Sequence, residues 1–172
     1  IAPVQGILGI EVYNSVCEEM DGLGLASAYW DAALGEGKRL WGLAVDDTHW
    51  RHGEEGIGYI MLRAPELSEQ SVLDALRLGH FYASTGPVIE DLRLVQTDAG
   101  QSALQVKCSP CQRIVFHARG CRGRCLRAPA GALLNSGVCP IRREQVFLRV
   151  ECHDERGCTA WSNPLFVEDV LE

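Results

Sequence analysis

The sequence predicts an α/β segment followed by a small antiparallel β domain, and three observations carry that expectation. Residues 6–46 run strand, helix, strand, with both strands apolar along nearly their whole length. At about residue 88 the periodicity changes to short alternating runs cut by turn residues. The composition, 47% apolar and 23% charged over 172 residues, matches a globular chain with enough apolar side chains for a buried core.

The first strand is Gly6-Ile-Leu-Gly-Ile-Glu-Val-Tyr-Asn14, whose continuous apolar character suits a strand covered on both faces. Residues 25–37, around Ser27-Ala-Tyr-Trp-Asp-Ala-Ala-Leu, read as a helix stopped by Gly35 and Gly37. Leu40-Trp-Gly-Leu-Ala-Val-Asp46 is the second strand, and this order predicts a parallel pair. After a Gly-rich loop at 53–58 come a short strand, Tyr59-Ile-Met-Leu-Arg63, and a helix capped by Ser68 and ended by Gly79. A boundary at Gly86-Pro87 separates residues 1–87 from 88–172. Beyond it, strands are expected at 89–94, 103–108, 113–117, 145–152 and 165–170.

A net charge of −7 argues against a nucleic-acid partner, whose phosphates want a basic surface. No apolar stretch approaches the roughly 20 residues of a bilayer span, which argues against a membrane segment. The chain shows no signal peptide, so a cytoplasmic location with reduced thiols is the expectation. Of the eight cysteines, all but Cys17 fall in the second half. One reading makes Cys108-Ser-Pro-Cys111 and Cys121-Arg-Gly-Arg-Cys125 the two knuckles of a zinc site; the other treats these thiols as small buried hydrophobes with some exposed.

Parallel α/β units bind ligands outside the carboxyl ends of their strands. The two strands end in Glu11-Val-Tyr-Asn14 and in Asp46-Asp47-Thr48-His49, polar endings on apolar strands. Side chains two residues apart on extended chain project from one side. Asp47 through oxygen and His49 through nitrogen can therefore share a cation, and a mixed donor set suits Zn, Mn or Fe better than Ca. The alternative has Asp47 capping the following turn and His49 on a surface loop.

Several of these segments follow one another as they do in a known family. Gly9-Ile-Glu-Val-Tyr-Asn14, Trp30-Asp31, Ala44-Val-Asp-Asp-Thr-His49, Leu76-Arg-Leu-Gly79 and Phe81-Tyr-Ala-Ser-Thr-Gly-Pro87 resemble the C-terminal half of PHP (polymerase and histidinol phosphatase) proteins. Cys108-Ser-Pro, Phe147-Leu-Arg-Val-Glu and Ala160-Trp-Ser-Asn-Pro164 resemble the β-sandwich-like extension behind the barrel in one branch of that superfamily. The resemblance implies the C-terminal part of a distorted (β/α)7 barrel over 1–87 and a β-sandwich-like domain over 88–172. It implies divalent metal ions (Mn, Zn or Fe) and hydrolysis of a small phosphate ester by a metal-activated water. Asp47 and His49 match the family's late metal ligands and would be catalytic. Glu11 and Asn14 match a Glu-x-x-Asn strand end lining the same cavity. Ser84 and Thr85, with Gly86, would offer donors near substrate or form a structural turn.

The family's early His-x-His has no counterpart among His49, His52, His80, His117 and His153. The resemblance therefore also implies a partner, the missing N-terminal half of the barrel, and a chain that alone is inactive and binds metal poorly. In the tail it makes the Cys-x-x-Cys incidental and buries Trp161. Two other functions stay open: a non-catalytic β-sandwich binding module on a degenerate barrel, and a zinc-ribbon-like partner-binding protein.

Overall fold

The strand–helix–strand unit forms as its order requires. In the computed structural model, which describes residues 6–50 and 55–171, β1 (Gly9–Asn14) and β2 (Trp41–Val45) pair in parallel. Their connection carries two helices, α1 (Ser15–Asp21) and α2 (Ser27–Gly35). The sequence reading does not contain α1. Asn14 caps it by accepting from the Cys17 N–H at 3.0 Å, and Gly22 closes it at a φ of 65°. Along α2, Trp30, Ala33 and Leu34 point inward at the three- and four-residue spacing of a helix face. The Trp30 indole donates to the Leu40 carbonyl at 2.9 Å, and its ring fills the space a Cβ on Gly42 would take.

Beyond β2 the expected barrel does not continue. Of the Gly-rich loop at 53–58, only 55–58 are described, and His52 lies outside the described residues. β3 (Tyr59–Leu62) is joined through α3 (Glu69–Leu78) to β4 (Phe81–Ser84), which returns antiparallel to it. The ends of α3 are those the sequence indicates: the Ser68 side chain accepts from the Ser71 N–H, and Gly79 is left-handed at a φ of 71°. The remaining strands are β5 (Ile89–Gln96), β6 (Ser102–Cys111), β7 (Arg113–His117), β8 (Arg124–Arg127), β9 (Leu134–Pro140), β10 (Phe147–His153), β11 (Thr159–Ser162) and β12 (Leu165–Phe166). Among the described residues every pairing except β1–β2 is antiparallel.

The expectation of an α/β chain built on the C-terminal part of a (β/α)7 barrel is therefore overturned. A barrel needs each strand to run parallel to the last, whereas here the chain reverses after α3 and the fold is β-rich. Seven strands form one sheet in the order β3-β4-β11-β10-β7-β8, with β12 added at β10; β5-β6-β9 form a second. Strands from both sides of Gly86-Pro87 share the larger sheet, where Ala83 of β4 pairs Trp161 of β11.

That larger sheet lies between two cores. On one face Leu148, Val150 and Cys152 of β10 meet Leu104, Val106 and Cys108 of β6. On the other, Phe147, Trp161 and Phe166 meet Val12, Trp30, Leu34 and Ala44 from the β1–α2–β2 unit. The alternation along β10 sets this division, since successive side chains of a strand face opposite ways. Trp161 is buried, as the sequence implies. No described helix is long and apolar enough to cross a membrane.

Candidate functional site

Because β1 and β2 are parallel and pair from Gly9↔Trp41 to Asn14↔Val45, with a one-residue shift between Glu11 and Tyr13, their carboxyl ends share one edge. There the Asn14 Nδ2 donates to Glu11 Oε2 at 3.2 Å and to Asp47 Oδ2 at 3.3 Å. Three of the residues singled out from sequence are thus in contact. Asp46 does something else: its carboxylate accepts from the N–H groups of Gly56, Ile57 and Gly58 at 2.6, 2.9 and 2.7 Å, while its carbonyl accepts from Ser15 Oγ. It ties the following loop to the strand end and leaves Asp47 at the edge.

The Asp47–His49 relation differs from the extended-chain expectation. β2 stops at Val45, and Asp47 has a φ of 57°, so simple two-residue alternation does not hold there. An aspartate tolerates this left-handed conformation better than bulkier residues do. Both Asp47 and His49 are exposed. Neither belongs to a group of three ligating side chains with donor atoms within 4.8 Å of one another among the described residues.

Ser84 and Thr85 both engage backbone groups through their hydroxyls. The fully buried Ser84 hydroxyl donates to Pro87 O at 2.7 Å and accepts from the Gly86 N–H at 2.9 Å. Thr85 Oγ1 donates to Thr159 O and accepts from the Thr159 N–H at 2.9 Å. The Ser84 hydroxyl closes the turn that leads from β4 to β5, and Thr85 ties that turn to Thr159 of β11.

A buried ionic network joins α2 to the larger sheet. Arg149, with no solvent exposure, donates through Nε and Nη2 to the two Asp31 oxygens at 2.5 and 2.7 Å, and through Nη1 to Glu151 at 2.7 Å. Its guanidinium lies 4.7 Å from the Trp30 ring centroid. His117 sits between the carboxylates, with Nδ1 3.3 Å from Asp31 and Nε2 3.1 Å from Glu151, and His153 Nε2 stands 3.1 Å from the same Glu151 oxygen. Neither Nε2 makes a directed hydrogen bond. Burial alone would raise Glu151, but His117, His153 and Arg149 hold it far below the carboxylate range. The same balance lowers Asp31 through His117 and Arg149. Burial pushes His117 down, yet its contacts with the Asp31 and Glu151 carboxylates leave it raised.

A third cluster lies between the sheets. Cys108 and Cys111 of β6 meet Cys152 of β10 with their sulfurs within 4.8 Å of one another, all three buried. This group could hold a metal ion. Cys121 and Cys125, the expected second knuckle, are exposed and stand apart from it. Hydrogen bonds from Cys108 and then Cys152 hold the Cys111 thiol low, at about 4; reciprocally, Cys108 is pushed up to about 12 and Cys152 is raised.

No family model, curated protein or solved structure matches the chain.

Sequence reasoning missed Cys152 as the partner of the Cys-x-x-Cys, because β6 and β10 meet only through the packing of two sheets. It also missed the Arg149 network, although a signal was present. Arg149 and Glu151 stand two apart in the otherwise apolar run Phe147-Leu-Arg-Val-Glu-Cys152, which marks a charged row on one buried face.

Proposed function

We propose that the strand-end cluster belongs to a divalent-cation site of a phosphoester hydrolase. Asp47 and His49 would be its metal-binding side chains, and Glu11 and Asn14 its supporting contacts. The observation that carries this reading is the Asn14 amide bridging Glu11 and Asp47 at the shared carboxyl edge of β1 and β2. A neutral amide satisfies hydrogen bonds of two carboxylates but supplies no charge; a cation at the same edge would. Oxygen with imidazole nitrogen suits Mn, Zn or Fe. The ion's part would be to bind phosphoryl oxygen and lower the pKa of an attacking water.

Two ligating side chains do not hold a catalytic metal, which as a rule takes at least three. The reading therefore includes a further polypeptide segment that brings the other ligands. Ile7, Leu8, Met20, Leu23 and Leu25, all exposed on the β1–α1 side, offer it an apolar surface. The substrate class is a small phosphate ester, in keeping with the acidic charge of the chain.

Titration with Mn²⁺ followed by NMR tests the site. Amide signals of residues 11–14 and 46–49 are expected to broaden first, and Asp47→Asn to remove that selectivity. In the protein that carries the full ligand set, Asp47→Asn should lower Mn²⁺-dependent p-nitrophenyl phosphate hydrolysis at least about 100-fold. Broadening centred elsewhere, or hydrolysis untouched by the substitution, would overturn the reading.

A further inference from the structure

We propose that Cys108, Cys111 and Cys152 form a three-sulfur site for a monovalent, thiophilic d¹⁰ cation, Cu(I). It draws on β6 and β10, elements with no part in the strand-end cluster, and stands independently of it. The donor set is sulfur alone, which disfavours Mg, Ca and Mn and selects soft cations. A cation about 2.3 Å from each of three sulfurs holds them roughly 4 Å apart, so sulfurs already within 4.8 Å need only small inward shifts.

Coordination number separates the soft candidates. Structural zinc is almost always four-coordinate. Among the described residues no fourth His, Cys, Asp or Glu joins the three thiols. Cys108 is 2% exposed and the other two 0%, so the cluster has no face toward bulk water. Three sulfurs in a closed apolar site match a trigonal Cu(I) better than a tetrahedral zinc.

Charge gives the ion a reason to stay. The apolar surroundings include Leu104, Val106, Ile114 and Val150, and a thiolate among them lacks a counter-charge. Binding one Cu(I) to the three thiols with release of one proton leaves one thiolate and two thiols around the ion, and the cation supplies the counter-charge. The cluster is then neutral before and after, and copper enters and stays as Cu(I) with no electron transferred.

The test uses the full chain with Cys17, Cys121, Cys125 and Cys158 changed to Ser, which removes the more accessible thiols. The reduced protein is titrated anaerobically with Cu(I) against a competing chelator. One Cu(I) per chain is expected, with X-ray absorption showing three sulfurs at about 2.3 Å. Cys152→Ala should weaken retention at least about 100-fold, since even outer-shell changes cost 10–100-fold in metal affinity. The sulfur count on the intact triad stands even if that variant fails to fold. No retained copper, a two-sulfur shell, retention unchanged by Cys152→Ala, or preferential uptake of zinc in a four-ligand shell would each overturn the proposal.

Discussion

A guanidinium with no solvent exposure, as at Arg149, is tolerable only while its carboxylates stay in place. Arg149 holds Asp31 from α2 with two hydrogen bonds and Glu151 from its own strand with one. Arg149→Ala removes the charge that both carboxylates face and leaves a cavity against the Trp30 ring. Loss of one partner of a buried ion pair costs about 3–5 kcal/mol. Arg149→Ala is therefore expected to lower the unfolding free energy by an amount in that range in urea, and Arg149→Lys to recover only part of it. Lysine is a point charge and cannot make the paired contact to Asp31. A loss within about 0.5 kcal/mol for Arg149→Ala would show that the network contributes no net stability.

At the scale of elements, the same groups clamp α2 to the larger sheet and make that contact pH-dependent. Asp31 and Glu151 are depressed in the folded chain, so their contribution is present above the ordinary carboxylate range and is lost as pH falls through their folded values. His117 is raised, so its contribution is full below the ordinary histidine value and is lost as pH rises through its folded value. Stability is then expected to peak between roughly pH 5 and 6.5 and to fall on both sides. Urea midpoints from pH 4 to 9 check this, and His117→Gln should flatten the alkaline limb. An unchanged alkaline limb in that variant would remove His117 from the account. The elements themselves were legible where local physics decides. Ser68 and Gly79 bound α3, and the two-residue period of Arg113–His117 gives β7 to the residue. α1 was not legible, because its seven residues bury no apolar side chain and its cap comes from Asn14, which also reads as a strand end. At the strand ends, the Glu11–Asn14–Asp47 contact followed from the parallel pair, while the left-handed Asp47 did not, since a φ near +57° leaves no periodic trace.

At the scale of the whole molecule, sequence periodicity divides the chain near residue 87 because the pattern changes there, but pairing between sheets does not follow pattern. Which strand β11 joins is settled by burial of Trp161 beside Ala83 and by the register Ala160↔Ser84 to Ser162↔Tyr82, contacts far apart in sequence. This long-range pairing makes a specific demand on the second half. Without residues 1–87, β11 loses β4 and presents an unpaired edge, a template for aggregation. Phe147, Trp161 and Phe166 lose Val12, Trp30 and Leu34 from above them, and Arg149 loses Asp31. What remains, the β5-β6-β9 sheet against β7, β8 and β10, keeps one core and exposes the other. Residues 88–172 expressed alone are therefore expected to show no cooperative thermal transition and a poorly dispersed amide spectrum, and the whole chain to unfold as one unit. A sharp, well-dispersed spectrum from 88–172 alone would mean that the core around Leu104, Phe116 and Val150 suffices, and that the β1–α2–β2 layer is an addition to a self-standing β domain.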